Sequence, residues 1–465
     1  MRVNKRQNVY HLEMEQKMGK KLTKNERNWI LYDVGNSAFT LLIATILPIY
    51  FNYLAGNAGI SSVDYLAYWG YAASVGTILV ALAGPVLGTM ADTKGFKKPF
   101  FTAAILTGVA GCALLGLAKG WLLFLVIYII AKVGFSSSLI FYDSMLGDVT
   151  DEDRVDYVSS AGYAWGYIGS CVPFIVCLVL VLGSGKIGIS MEMSMMIAFL
   201  IIAAWWLVMS LPLLKGYEQK FYVEKQKHAV KESFCRLGQT FGNIRKEKHI
   251  FMFLLAFFFY IDGVYTIIDM ATAYGSALGL DSTGLLLALL VTQLVAFPCA
   301  ILFGKLSGRM ETCRLITVCI FAYLGIAIFA VFLKSQIQFW ILAVLVGMFQ
   351  GGIQALSRSY FTKIIPAEKS GEYFGLMDIC GKGASFMGTT IVSLVSQITG
   401  NINAGVGMIA VLFVAGIILF RKSVSLCNTK SHVQETPHRS HLTSAYSCTW
   451  DGEGVAAPGS EQEVV

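Results

Sequence analysis

Charge and proline are what this 465-residue sequence has least of: Asp, Glu, Lys and Arg supply 14% of it, and it holds 9 prolines. A soluble domain carries about 25% charged residues. A water-facing fold of this composition would leave much apolar surface uncovered, because apolar residues make up 55% of the chain and its mean hydropathy is +0.63. Residues 335–357 hold no charged side chain at all. Such runs are too uniformly apolar for barrel strands, which alternate over about ten residues. They suit α-helical spans, which need about 20 residues to cross the hydrocarbon.

Other absences narrow the function. There is no G-x-x-x-x-G-K-[ST] loop, so ATP hydrolysis is not the expected driving force. The 6 His, at 11, 228, 249, 432, 438 and 441, lie outside the apolar runs and form no H-E-x-x-H. No metal, cofactor or enzymatic chemistry is therefore expected. The 10 Cys include no C-x-x-C and sit mostly inside apolar runs, where they read as small packing residues. No apolar leader is visible in the first 27 residues, which are polar, so the first span is expected to act as its own insertion signal.

What is present is a series of long apolar segments. Spans are expected near 28–54, 65–91, 99–118, 121–146, 157–183, 190–214, 250–277, 283–304, 313–333, 337–361, 371–399 and 403–420. Lys and Arg fall in alternate loops: 28 on the side of the N-terminus and of the basic linker 215–249, against Lys119, Lys186 and Lys334 on the other. Loops rich in Lys and Arg stay cytoplasmic. Both termini are thus expected in the cytoplasm, with an even number of spans. The expected class is an all-α membrane protein of twelve transmembrane helices in two six-helix halves. Its parts are an N-terminal segment 1–27, a first half 28–214, the linker, a second half 250–420 and a disordered polar tail 421–465. The net charge of +7 is spent on topology and not on a nucleic-acid patch. The expected partners are the lipid bilayer, a small solute and protons, with the chain acting as a monomer.

The halves repeat. Asp33, Asn36, Ser37 and Thr40 fall at i, i+3, i+4 and i+7 of span 1, as do Asp262, Tyr265, Thr266 and Asp269 of span 7. Each set makes one helical face. Charges at mid-bilayer cost roughly 2.5–3.5 kcal/mol even on insertion scales, so they mark function by default. Lys132 and Asp262 lie near mid-depth, with Gln293 and Gln350 at similar depth. Asp33, Asp143 and Arg358 lie nearer the basic side and Asp269 nearer the other. Asp33, Asn36, Thr40, Lys132, Asp262, Tyr265, Asp269, Gln293, Gln350 and Gln354 are expected to line a cavity walled by spans 1, 4, 7 and 10, with Lys132 for a carboxylate and Asp262 for an amine or a coupling proton, while Asp143 and Arg358 are expected to belong to a conformational gate. The Asp378–Lys382 pair, at i and i+4, reads as a local ion pair.

Between spans 2 and 3 the chain reads GTMADTKGFKK, residues 88–98. Gly88, Asp92, Gly95, Lys97 and Lys98 resemble the loop signature of the major facilitator superfamily, in which this motif latches the cytoplasmic side. The counterpart loop, 304–314, has Gly308 where the acid would stand, so a symmetric latch is not expected. A narrower resemblance is carried by NWILYDVGNSAF (28–39), FFFYIDGVYTI (257–267), VTQLVAFP (291–298) and GGIQALSRSYF (351–361), the last including Gln354 and Arg358. These segments look like the vacuole-effluxer-like family, the fungal autophagy-related vacuolar amino-acid effluxers and their bacterial relatives. That resemblance implies a twelve-helix facilitator fold moving small solutes, amino acids in particular. A non-transporting receptor or scaffold on the same fold is the second class left open by the residues.

Overall fold

The computed structural model describes residues 21–224, 242 and 247–434. The first span is two helices, α1 (Lys24–Ala44) and α2 (Ile46–Asn57). Thr23 and Glu26 start it with a reciprocal cap, the Thr23 hydroxyl accepting from the Glu26 N–H and the Glu26 carboxylate from the Thr23 N–H. It breaks at Thr45 because Pro48 has no N–H to give the carbonyl four residues back and its ring crowds that carbonyl. There follow α3 (Ser62–Ala91), α4 (Lys97–Leu114), α5 (Trp121–Ser144), the short α6 (Leu146–Val149), α7 (Val155–Ile187) and α8 (Met191–Gly216). The second half is α9 (Lys248–Ala277), α10 (Ser282–Leu306), α11 (Thr312–Val331), α12 (Gln336–Ile364), α13 (Ser370–Thr399) and α14 (Ile402–Gln434).

Among the described residues, 11 segments are long and apolar enough to cross a membrane. The twelfth long helix, α13, has the length but carries Glu372, Asp378 and Lys382. Leu82, Leu182 and Ile398 are more than 70% exposed, a surface that only lipid covers favourably. One expectation is modified: α14 continues to Gln434, well into the segment expected to be disordered from 421 onward, while 435–465 lie outside the described residues, as does most of the linker.

Each half has its own apolar core. Trp29, Tyr32, Phe39 and Trp206 anchor the first, and Phe253, Tyr260, Tyr323 and Phe413 the second. The halves meet where α3 crosses α13, with α5 beside it, and where α7 crosses α10 and α12. Glycine permits the first crossing. A Cβ on Gly371 would lie 2.6 Å from the Gly88 carbonyl oxygen, and one on Gly375 would lie 2.8 Å from Pro85 Cα. Small residues let the two backbones touch. At the second crossing, Gly304 meets Ser160, with 2.8 Å from its would-be Cβ.

Gly88→Ala would set its methyl group against the Gly371 carbonyl, and overpacking of this kind costs about 1–3 kcal/mol. The expected result is faster hydrogen exchange in peptides covering 88–98 and 370–377. Unchanged exchange in both would mean that this crossing is not tight in solution.

Candidate functional site

Between the halves lies a cavity of about 770 Å³. Its charged and polar rim comes from Lys132 and Asp143 on α5, Tyr265 and Asp269 on α9, Gln354 and Arg358 on α12, and Asp378 and Lys382 on α13. Phe135, Leu139, Ile140, Phe257, Ile261 and Phe374 make the rest of the wall largely apolar. Lys132 donates from Nζ to the Ala73 carbonyl on α3 at 2.8 Å, which holds the ammonium at the wall. Asp378 and Lys382 bond to each other across one helical turn and still face the cavity. Tyr167 donates to the Gln354 side-chain oxygen at 3.3 Å, tying α7 to α12.

Of the residues singled out in the sequence, the structure brings Lys132, Asp143, Tyr265, Asp269, Gln354 and Arg358 together around this space. Asp33, Asn36, Thr40, Asp262, Gln293 and Gln350 are not among its lining residues. The walls are spans 2, 4, 7, 10 and 11, with Tyr163 from span 5; span 1 lends no lining residue. Ser74, Thr77 and Ser136 also line the space and were not anticipated. Thr77 lies one helical turn from Ala73, but nothing in the sequence says which face of α3 looks inward.

Arg358 forms the floor. Its Nη1 donates to Asp143 at 2.9 Å, its Nε and Nη2 donate to the Ser159 hydroxyl and carbonyl at 3.0 Å each, and Nη2 lies 3.7 Å from the Asp33 carboxylate. The guanidinium also lies 4.6 Å from the Trp29 ring centre and 4.4 Å from that of Tyr163. A side chain of the second half is thus held by α1, α5 and α7 of the first. Asp33 itself is pressed against Gly162, whose missing Cβ makes the room.

Two further layers close the same face. Asp156 on α7 accepts from Thr312 at 2.7 Å and from Lys363 at 2.6 Å. Asp92 accepts from the Gly371 and Glu372 amides at 2.8 and 2.9 Å, the first N–H groups of α13, which have no partner within the helix. Burial pushes the Asp92 carboxyl up to about 7, with Lys97 and the two amides pulling the other way. Lys97 is fully buried, 3.7 Å from Asp92 and 3.5 Å from Asp148, and donates to the Ser370 hydroxyl at 2.9 Å. Gly95 turns the loop at φ 78°. Lys98 reaches the Lys215 and Tyr217 carbonyls, both at 3.5 Å.

The start of the linker is strapped over this latch. Val223 pairs with the loop through Val223 N–H to Asp92 O at 2.8 Å and Lys94 N–H to Val223 O at 3.0 Å. The Gln219 amide oxygen accepts from the Gly95 N–H at 3.0 Å, and its nitrogen donates to Ala91 O at 3.2 Å. Beneath, Glu26 holds Arg154 through two bonds of 2.8 and 2.9 Å.

A charge-lined cavity between two six-helix halves, sealed on one face by stacked polar layers, defines a membrane transporter of the major facilitator type. The profile described as "Vacuole effluxer Atg22 like" matches residues 22–154 and 147–433, and the chain belongs to that family. It is 43% identical over 407 residues to the MFS-type transporter YxiO of Bacillus subtilis (strain 168), covering 86% of this chain and 95% of that one. It is 22% identical to autophagy-related protein 22 of Eremothecium gossypii, over 85% of this chain and 90% of the relative. Among solved structures, the fucose transporter FucP in its outward conformation matches with a TM-score of 0.64 at 16% identity, covering 86% of this chain and 97% of that one. An outward-facing bacterial homologue of ferroportin matches at 0.63 and 15%, covering 87% and 99%. These two likenesses speak for the fold alone.

Arg358→Lys keeps a positive charge but loses the planar fork. Removing one partner of a buried pair costs about 3–5 kcal/mol, so a partial loss of that size is expected. Hydrogen exchange should rise together in peptides around 88–98 and 355–364; a rise in neither would show that the floor does not hold the face shut.

Proposed function

We propose that this protein is a secondary active transporter that moves a small zwitterionic solute with an apolar body, an amino acid, by alternating access. The observation that carries this reading is the presence of Lys132 and Lys382 together with Asp269 and Asp378 on a largely apolar cavity wall. A zwitterion needs one charge of each sign, and an apolar wall rewards an apolar side chain. Lys132 is the residue for the carboxylate, and Asp269, facing the same space, is a partner for the amine. The basic-loop face is the cytoplasmic one by its Lys and Arg content, with both termini on that side. This conformation then presents its cavity outward. The drive is a proton gradient, since the sequence has no nucleotide-binding loop. The chain works as a monomer, and the likeness to the Bacillus subtilis transporter supports a plasma-membrane setting. A receptor or scaffold that transports nothing has no use for charges held on the wall of a solute-sized space.

A thermal-shift panel on purified protein tests this. Leucine and phenylalanine are expected to raise the melting temperature and sugars to leave it unchanged. Lys132→Ala should weaken leucine binding by tenfold or more, about 1.4 kcal/mol. Equal leucine affinity in this variant would remove Lys132 from the site, and a panel in which no amino acid stabilises would remove the substrate class.

A further inference from the structure

Asp262 and Asp33 occupy the same place in the two repeats, each at the head of its polar stripe and each pressed against a glycine of a neighbouring helix. Asp33 has Arg358 at 3.7 Å. Among the described residues, no cation pairs with Asp262. It is 0% exposed; its Oδ1 accepts from the Gly388 amide on α13 at 2.9 Å and from the Thr266 hydroxyl at 3.3 Å. Its Oδ2 is buried with no hydrogen-bond partner among the described residues. The helices packed against α9 are α10, α11, α12, α13 and α14. Among their described residues, Lys382 is paired with Asp378, Arg358 with Asp143 and Lys363 with Asp156, and no ion pair reaches Asp262.

An ionised carboxylate buried in this way without a counter-charge is strongly disfavoured. A proton on Oδ2 resolves the problem and accounts for the asymmetry of the contacts: Oδ1 becomes the carbonyl oxygen and accepts both bonds, while Oδ2 carries the hydrogen. A metal ion fits less well, because Asp262 and Thr266 offer only a few oxygens and hard cations collect several more. Asp262 does not line the cavity, whereas Tyr265 and Asp269 on the same helix do. The helix that bonds to Asp262 is α13. That one helix also gives the Gly371 and Glu372 amides to the latch and Asp378 and Lys382 to the cavity.

We propose that Asp262 is a proton-binding site apart from the solute cavity, occupied in this conformation, and that α13 couples loss of its proton to water with release of the latch. Its coupling role rests on the transporter reading above; the protonation itself does not. Infrared spectra of wild-type protein in liposomes, in potassium buffer, should show a protonated-carboxyl band that fades as the pH is raised. The band should shrink in Asp262→Asn to the part that Asp92 supplies, which Asp92→Asn removes, and be kept in Asp378→Asn. A wild-type spectrum without the band, or a band unchanged in Asp262→Asn, overturns the site. A band suppressed by sodium would assign the site to that ion and overturn the proton. In proteoliposomes loaded with leucine as the probe, Asp262→Asn should keep leucine exchange and lose the stimulation by a pH gradient. Full stimulation in that variant overturns the coupling. Leucine movement in no variant, wild type included, fails the amino-acid reading and leaves the infrared result standing.

Discussion

The closed face of this molecule depends on one buried guanidinium. Arg358 comes from the second half, yet every group that satisfies it belongs to the first: Asp143, Asp33, Ser159 and the rings of Trp29 and Tyr163. In a medium without water such a group is stable only where all its donors are met. The halves can therefore separate on this side only if solvent or other groups replace those partners together. The Asp156 and Asp92 layers obey the same condition. Each places an acid of the first half against donors of the second.

This arrangement explains how a two-fold repeat becomes functionally unequal. Both halves carry an acidic stripe, and both crossings use glycine. The latch on α3 has Asp92 and a buried Lys97. At the corresponding loop after α10 the acid is absent, and Asp156 from the opposite half bonds to Thr312 instead. The two faces of the repeat thus use different chemistry to reach the same packing.

Much of the fold was legible from the sequence because the bilayer imposes a length and a polarity that few other constraints disturb. The expected spans agree with the helices to within a few residues, except at the end of the last, and the 88–98 signature pointed to the latch loop. What was not legible depends on which helix faces which. Asp33 and Asp262 look alike in sequence; they differ because Arg358, far away in the chain, reaches only one of them. Asp378 and Lys382 were readable as a pair, but not as a pair on the cavity wall, since that requires knowing how α13 meets α3. Glu26 and Arg154 sit in polar stretches with no periodicity to mark them. The extension of α14 to Gln434 was hidden because its last turns lack the apolar pattern that reveals a span.

The strap formed by Gln219 and Val223 changes what counts as the connection between the halves. These residues are bonded to the loop after α3, so the chain leaves the first half at about Glu224 and not at the end of α8. Any opening of this face must therefore either carry Gln219 and Val223 along with the loop after α3 or break the bonds that fasten them to it.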